Sequence, residues 1–182
     1  MLWNALKTGQ LQTVGSDQCS FNWNGQKDLG LGDFSKIPNG GPCIEDRFSI
    51  LFSEGVGKGR ITLNQFVDIV STRSAKLFGL FPQKGTIAVG GDADIVIFDP
   101  TAKRTISVET HHMNVDYNPF EGLEIIGEPV SVLSRGEFVI RDKQFVGEAG
   151  NGQYIKRRTY VSSSVEVREV NTEPVQGGAP HV

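Results

Sequence analysis

Leu11-Gln-Thr-Val-Gly-Ser-Asp-Gln-Cys19 passes from apolar to polar within nine residues. It reads as a short buried strand through Val14 that stops at Gly15, where the missing Cβ permits a sharp exit. Ser16 and Asp17 then fall where the chain turns. In a parallel barrel the residue at the carboxyl end of a strand faces the shared mouth where the chemistry is done. Asp17 is therefore a candidate metal ligand or general base. A carboxylate at a strand end can also cap a turn or the next helix, which is its commoner use, and the nonapeptide leaves both readings open.

The surrounding chain narrows the setting. Its 182 residues suffice for one domain with a real core or parts of two. A net charge of -3 offers no basic surface for nucleic acid or an acidic membrane. No apolar run approaches a bilayer span, and the N-terminus lacks a signal-peptide core, so no membrane role is expected. Two cysteines, Cys19 and Cys43, are too few for a disulfide framework and favour a reducing, cytoplasmic setting. Leu2, Trp3 and Leu6 follow helical spacing with Gly9 as a stop. A helix and one buried strand with no partner strands before it predict a fragment of a larger fold.

From Asn22 to Gly59 periodicity is weak, and Leu29 to Pro42 is a long loop punctuated by turn residues. Pro38-Asn-Gly-Gly-Pro42 is its tightest part, where prolines restrict the ends and glycines let backbone approach a ligand. An ordinary surface loop and a binding loop are both compatible with that composition. Glu45 and Asp46 suit the first turn of a helix from about Ile44 to Glu54. Thr62 and Gln65 fit a capping box, followed by helices at about Leu63–Ser71 and Ser74–Phe78 whose apolar stripe is core packing. Beyond Pro82 the pattern alternates. Runs at 85–90, 93–99, 103–108, 129–134 and 137–141 predict a small antiparallel sheet or sandwich over about 84–147. Residues 148–182 read as an extended arm with a disordered tip.

Several of these stretches together resemble the C-terminal part of the dihydropyrimidinase and D-hydantoinase family of amidohydrolases. They are Thr13-Val-Gly-Ser-Asp-Gln-Cys-Ser-Phe-Asn22, Lys27-Asp-Leu29, Gly32-Asp-Phe-Ser-Lys-Ile-Pro-Asn-Gly-Gly-Pro42 and Ile44-Glu-Asp-Arg47. Ser74-Ala-Lys-Leu-Phe-Gly-Leu80, the run from Lys84 to Pro100, and His111 to Gly122 continue the likeness, which covers about Met1 to Tyr160. The resemblance implies an α/β fold: residues 1–83 from the C-terminal end of a metal-dependent TIM-type (β/α)8 barrel, 84–147 from a β-sandwich, and 148–182 as the arm. It implies hydrolysis of dihydrouracil, dihydrothymine or hydantoins to N-carbamoyl amino acids by a zinc-bound hydroxide, in a homotetramer. Asp17 takes the place of the residue that binds one zinc and passes protons. Asn39 takes the place of the loop residue whose backbone contacts the substrate imide.

The family's remaining ligands, a His-x-His pair, two further histidines and a carboxylated lysine bridging two Zn2+, have no counterpart in this sequence. The chain alone is therefore expected to be inactive, since one carboxylate cannot hold zinc. Gln18 stands where many relatives carry His and is expected to tune the loop. A non-catalytic relative acting in protein assembly is the alternative, which retention of Asp17 argues against. His111 and His112, adjacent on an extended segment, face opposite ways and suit packing better than a shared metal. Cys19 and Cys43 suit buried hydrophobes, and Arg157-Arg158 a solvated or subunit-contacting pair.

Overall fold

The computed structural model describes residues 1–159. Helix α1 (Leu2–Thr8) opens the chain and closes on Gly9 in the left-handed conformation. Helix α2 (Ile44–Leu51) runs into a wide turn at Phe52–Gly57. Helices α3 (Leu63–Val67) and α4 (Arg73–Leu77) are joined through a second wide turn at Asp68–Thr72. Four strands follow: β1 (Ile95–Thr105), β2 (Glu124–Ser134), β3 (Glu137–Arg141) and β4 (Gln144–Phe145), antiparallel in the order β1-β2-β3-β4. No described helix is long and apolar enough to cross a membrane.

Local signals behave as their chemistry requires. The Thr62 hydroxyl accepts from the Gln65 N–H at 3.2 Å and the Gln65 side chain accepts from the Thr62 N–H at 2.9 Å, a reciprocal capping box. Gln65 also donates to the Lys7 carbonyl at 3.0 Å, which ties α3 to α1. Both hairpins turn through two residues of positive φ, Arg135-Gly136 and Asp142-Lys143, the backbone that matches strand twist.

Three expectations are corrected. Leu11–Gly15 is not a strand, because a strand needs a neighbour and the one pairing nearby is an isolated parallel bridge between Gln18 and Gly41. Residues 85–90 form turns instead of a strand, with Ile87 and Val89 exposed. The runs at 93–99 and 103–108 are not two strands. They share β1, whose register shifts between Asp99 and Lys103, where the Asp99 carboxylate accepts from the Thr101 and Ala102 N–H groups. Residues 148–159 carry no regular structure, and the predicted tip lies outside the described residues.

The core joins helices to sheet. Leu6, Leu51, Phe52, Ile61, Phe66 and Ile69 are buried together, with Trp3, Val14, Phe48 and Phe98 packed against them. Four phenylalanines close a ring of edge-on contacts, Phe48–Phe66 at 5.0 Å, Phe66–Phe52 at 5.6 Å, Phe52–Phe98 at 4.6 Å and Phe98–Phe48 at 5.6 Å. Gly127 in β2 has positive φ, and a Cβ there would meet the Phe52 ring and come within 2.7 Å of Phe98 Cζ, so the strand needs glycine at this point.

Two polar ties lock the loops onto this core. Asp46, 1% exposed, accepts from Arg104 Nη2 of β1 at 2.9 Å and from Asn118 Nδ2 at 2.8 Å. Asp116 accepts from the N–H groups of Trp23 at 2.6 Å and Asn24 at 3.1 Å, and from Asn24 Nδ2 at 2.7 Å. The Trp23 amide, followed by the Asn24 donors, holds the Asp116 carboxyl below its ordinary range.

Asp46→Ala leaves the buried Asn118 amide unpaired and the partly exposed Arg104 without its carboxylate, and should cost about 1–3 kcal/mol in urea unfolding, the usual penalty for a buried donor left unsatisfied. The Asp116 tie stabilises the fold above the ordinary carboxylate range and is lost as pH falls through the lowered value. In a Trp3→Phe background, Trp23 fluorescence should therefore report release of the loop below pH 3.8, the unperturbed aspartate value. Asp116→Ala should abolish that transition.

Candidate functional site

Asp17 and the Asn39 loop are neighbours. Asp17 takes positive φ at the end of the extended segment, and its exposed carboxylate has no hydrogen-bond partner among the described residues. One residue on, Gln18 makes its parallel bridge to Gly41, and the Cys19 N–H donates to the Gly41 carbonyl at 3.3 Å. Gly40 sits against this segment with φ of 83°, and a Cβ at Gly40 would come within 2.9 Å of the Asp17 carbonyl oxygen. Any larger residue would push the two segments apart. Glycine is thus required both for the turn and for the close approach.

Side chains from elsewhere in the chain hold this pair of segments. Gln18 Oε1 accepts from the N–H groups of Cys43 at 2.7 Å and Ile44 at 2.9 Å. It caps the start of α2, where Cys43 makes no side-chain cap of its own. Gln18 Nε2 reaches Ser20 Oγ at 2.9 Å and Met113 Sδ at 3.7 Å. Lys27, 9% exposed, donates to the carbonyls of Pro38 and Gly40, the latter at 2.5 Å, with its ammonium 5.5 Å from the Phe21 ring centre. Reading the residues in order misses Lys27. Its only sign in the sequence is a charge lying among Phe21, Trp23 and Leu29.

The three charged residues that open α2 each secure a different segment. Glu45 accepts from the His112 N–H at 2.7 Å and pairs with His112 Nδ1 at 2.8 Å. Asp46 makes the buried contacts to Arg104 and Asn118 described above. Arg47 donates to the Val14 carbonyl at 2.6 Å, pinning the backbone just before Gly15. Glu45 and Asp46 do open a helix, and beyond facing its positive end they tie it to distant segments.

The neighbouring histidines divide as their geometry requires. His112 pairs with Glu45, whereas His111 Nε2 lies 3.2 Å from the Val115 carbonyl oxygen. Cys19 and Cys43 are free thiols, each half-buried, and burial followed by the Asp46 charge pushes the Cys43 thiol up. Among the described residues no three His, Cys, Asp or Glu side chains gather as a metal group. One exposed carboxylate does not fit a complete metal centre, and these residues alone do not make one. What they do form, among the described residues, is an exposed, unpaired carboxylate beside a backbone turn that faces solvent.

The amidohydrolase family profile matches residues 1–139. Over 160 residues the chain is 79% identical to a D-hydantoinase of Geobacillus stearothermophilus, covering 88% of this chain and 34% of that protein. A dihydropyrimidinase of Rattus norvegicus is 46% identical over 177 residues, 96% of this chain and 34% of the relative. The crystal structure of a D-hydantoinase from Bacillus sp. AR9 superposes with a TM-score of 0.85 at 77% identity, over 88% of this chain and 35% of that one. The chain thus spans about a third of the length of the relatives it matches. It belongs to the amidohydrolase family, in the group of D-hydantoinases and dihydropyrimidinases.

Proposed function

We propose that the polypeptide carrying this chain opens the cyclic amide of dihydropyrimidines (dihydrouracil, dihydrothymine) or hydantoins to N-carbamoyl amino acids. The observation that carries the proposal is the contact between the Asp17 segment and the Gly40 turn, in a chain 79% identical to a D-hydantoinase. A cyclic imide presents alternating N–H and C=O groups along one edge. The Asn39 peptide, whose N–H and C=O have no partner among the described residues, has the complementary groups to pair with that edge. Asp17 is an unpaired carboxylate suited to accept a proton from the attacking water. It then returns that proton to the ring nitrogen as the carbonyl carbon–nitrogen bond breaks, so water is consumed and no other reactant is needed.

In this reading Asp17 would hold one zinc of a two-zinc centre through a carboxylate oxygen, together with the carboxylated lysine and histidines that the family resemblance implies and this sequence does not match. The metal pair supplies the Lewis acidity that makes water nucleophilic at neutral pH. The same reading assigns residues 1–83 to the end of a catalytic barrel, 84–147 to a β-sandwich and 148–182 to an arm. It makes the working enzyme a homotetramer in the cytoplasm, supported by the family resemblance and, for the compartment, by two free cysteines.

In the full-length protein, purified with zinc, dihydrouracil and hydantoin should both be tested for ring opening. Asp17→Asn keeps the shape but removes the base, and should lower kcat by roughly 10²–10⁴-fold, the usual worth of a positioned acid–base group. A full-length wild-type protein that binds no zinc and opens neither ring would instead favour the assembly role.

A further inference from the structure

We infer that Lys27 is the positioning residue for substrate binding, holding the Asn39 peptide in the orientation that meets the imide edge. The inference rests on the hydrolase reading above and adds the residue that shapes the Asn39 turn.

An ammonium nine-tenths out of solvent must be matched by acceptors, and Lys27 has two, the carbonyls of Pro38 and Gly40. These flank Asn39. The Gly41 carbonyl is taken as well, by the Cys19 N–H. Of the four consecutive carbonyls from Pro38 to Gly41, only that of Asn39 lacks a partner among the described residues. Three are turned to the protein and one is left over, at the residue the loop exposes.

Peptide planarity carries the consequence one atom further. The Pro38 carbonyl and the Asn39 N–H share one plane and point in opposite directions. Drawing the carbonyl onto Lys27 therefore turns the Asn39 N–H away from the protein. The Asn39 carbonyl lies in the next plane, confined between two planes that Lys27 holds. Glycines at 40 and 41 leave the turn beyond Asn39 without side chains that could maintain this shape. The buried charge supplies what the turn lacks, and Phe21, 5.5 Å from the ammonium, offers an aromatic face on another side.

A hydrogen-bonding edge held ready in advance acts on substrate and transition state alike, so its loss raises KM and leaves kcat largely alone. A merely structural lysine would show the reverse, with less folded enzyme, a lower apparent kcat and Tm, and an unchanged KM. The full-length zinc enzyme should be compared with Lys27→Met and Lys27→Arg on dihydrouracil. K27M should raise KM about 10-fold or more while kcat stays within about threefold. K27R keeps the charge but replaces a compact ammonium with a planar fork, and should raise KM by a smaller factor. If K27M does not fold, K27R decides by the same criterion. Unchanged KM in a folded variant overturns the role of Lys27. Wild-type enzyme that opens no ring overturns the hydrolase reading itself, before any variant is compared.

Discussion

Helix α2 begins with peptide N–H groups that its own first residues leave uncapped, and the region is assembled around meeting that need. Gln18 reaches across from another segment to accept from the N–H groups of Cys43 and Ile44. Capping at a distance fixes Gln18, and with it the neighbouring residues Asp17 and Cys19, against the start of the helix. Glu45, Asp46 and Arg47 then leave the same turn in three directions, to His112, to Arg104 and Asn118, and to the Val14 carbonyl. One helix terminus thereby locates the carboxylate, the long loop, the first strand and the segment after it.

Energetics divide between two kinds of contact. The phenylalanine ring and its aliphatic surround supply non-directional burial that brings helices and sheet together. They cannot choose a single loop conformation, because residues 22–43 place few apolar side chains in that core. Directional contacts do the choosing. Asp46 and Lys27 are charges taken out of water, and each is tolerated only with its partners in place. Such contacts contribute little net stability for the desolvation they cost, but alternative loop shapes that leave either charge unpaired are heavily penalised.

The segment from His111 to Asn118 acts as a clasp over the same region. His112 holds Glu45, Met113 touches Gln18, Asp116 gathers the amides of Trp23 and Asn24, and Asn118 meets Asp46. Trp23 and Tyr117 meet edge-on at 5.9 Å alongside it. The connection between β1 and β2 is therefore long for a reason beyond chain reversal: it returns to the helical region and closes the loop from outside.

What was legible in the sequence was local. The capping box at Thr62 and Gln65, the glycine stop after α1, the two-residue hairpins and the alternation of β1 to β3 each depend on neighbours a few residues apart. Asp17 and Asn39 are singled out by resemblance to the family's motifs, since their local sequence leaves each with an ordinary turn or loop reading as well. The strand expected at 11–15 and the one at 85–90 failed for one reason: β-branched or apolar residues permit an extended backbone, but only a paired neighbour makes it a strand. Tertiary structure alone decided that Gln18 caps a helix 26 positions away. It also decided that Lys27 is buried beneath the Asn39 turn, and that acidic residues at a helix start serve three distant segments. Composition and periodicity encode which face of an element is apolar. They do not encode which far-off carbonyl a buried charge will find, because that partner is chosen only when the chain has closed on itself.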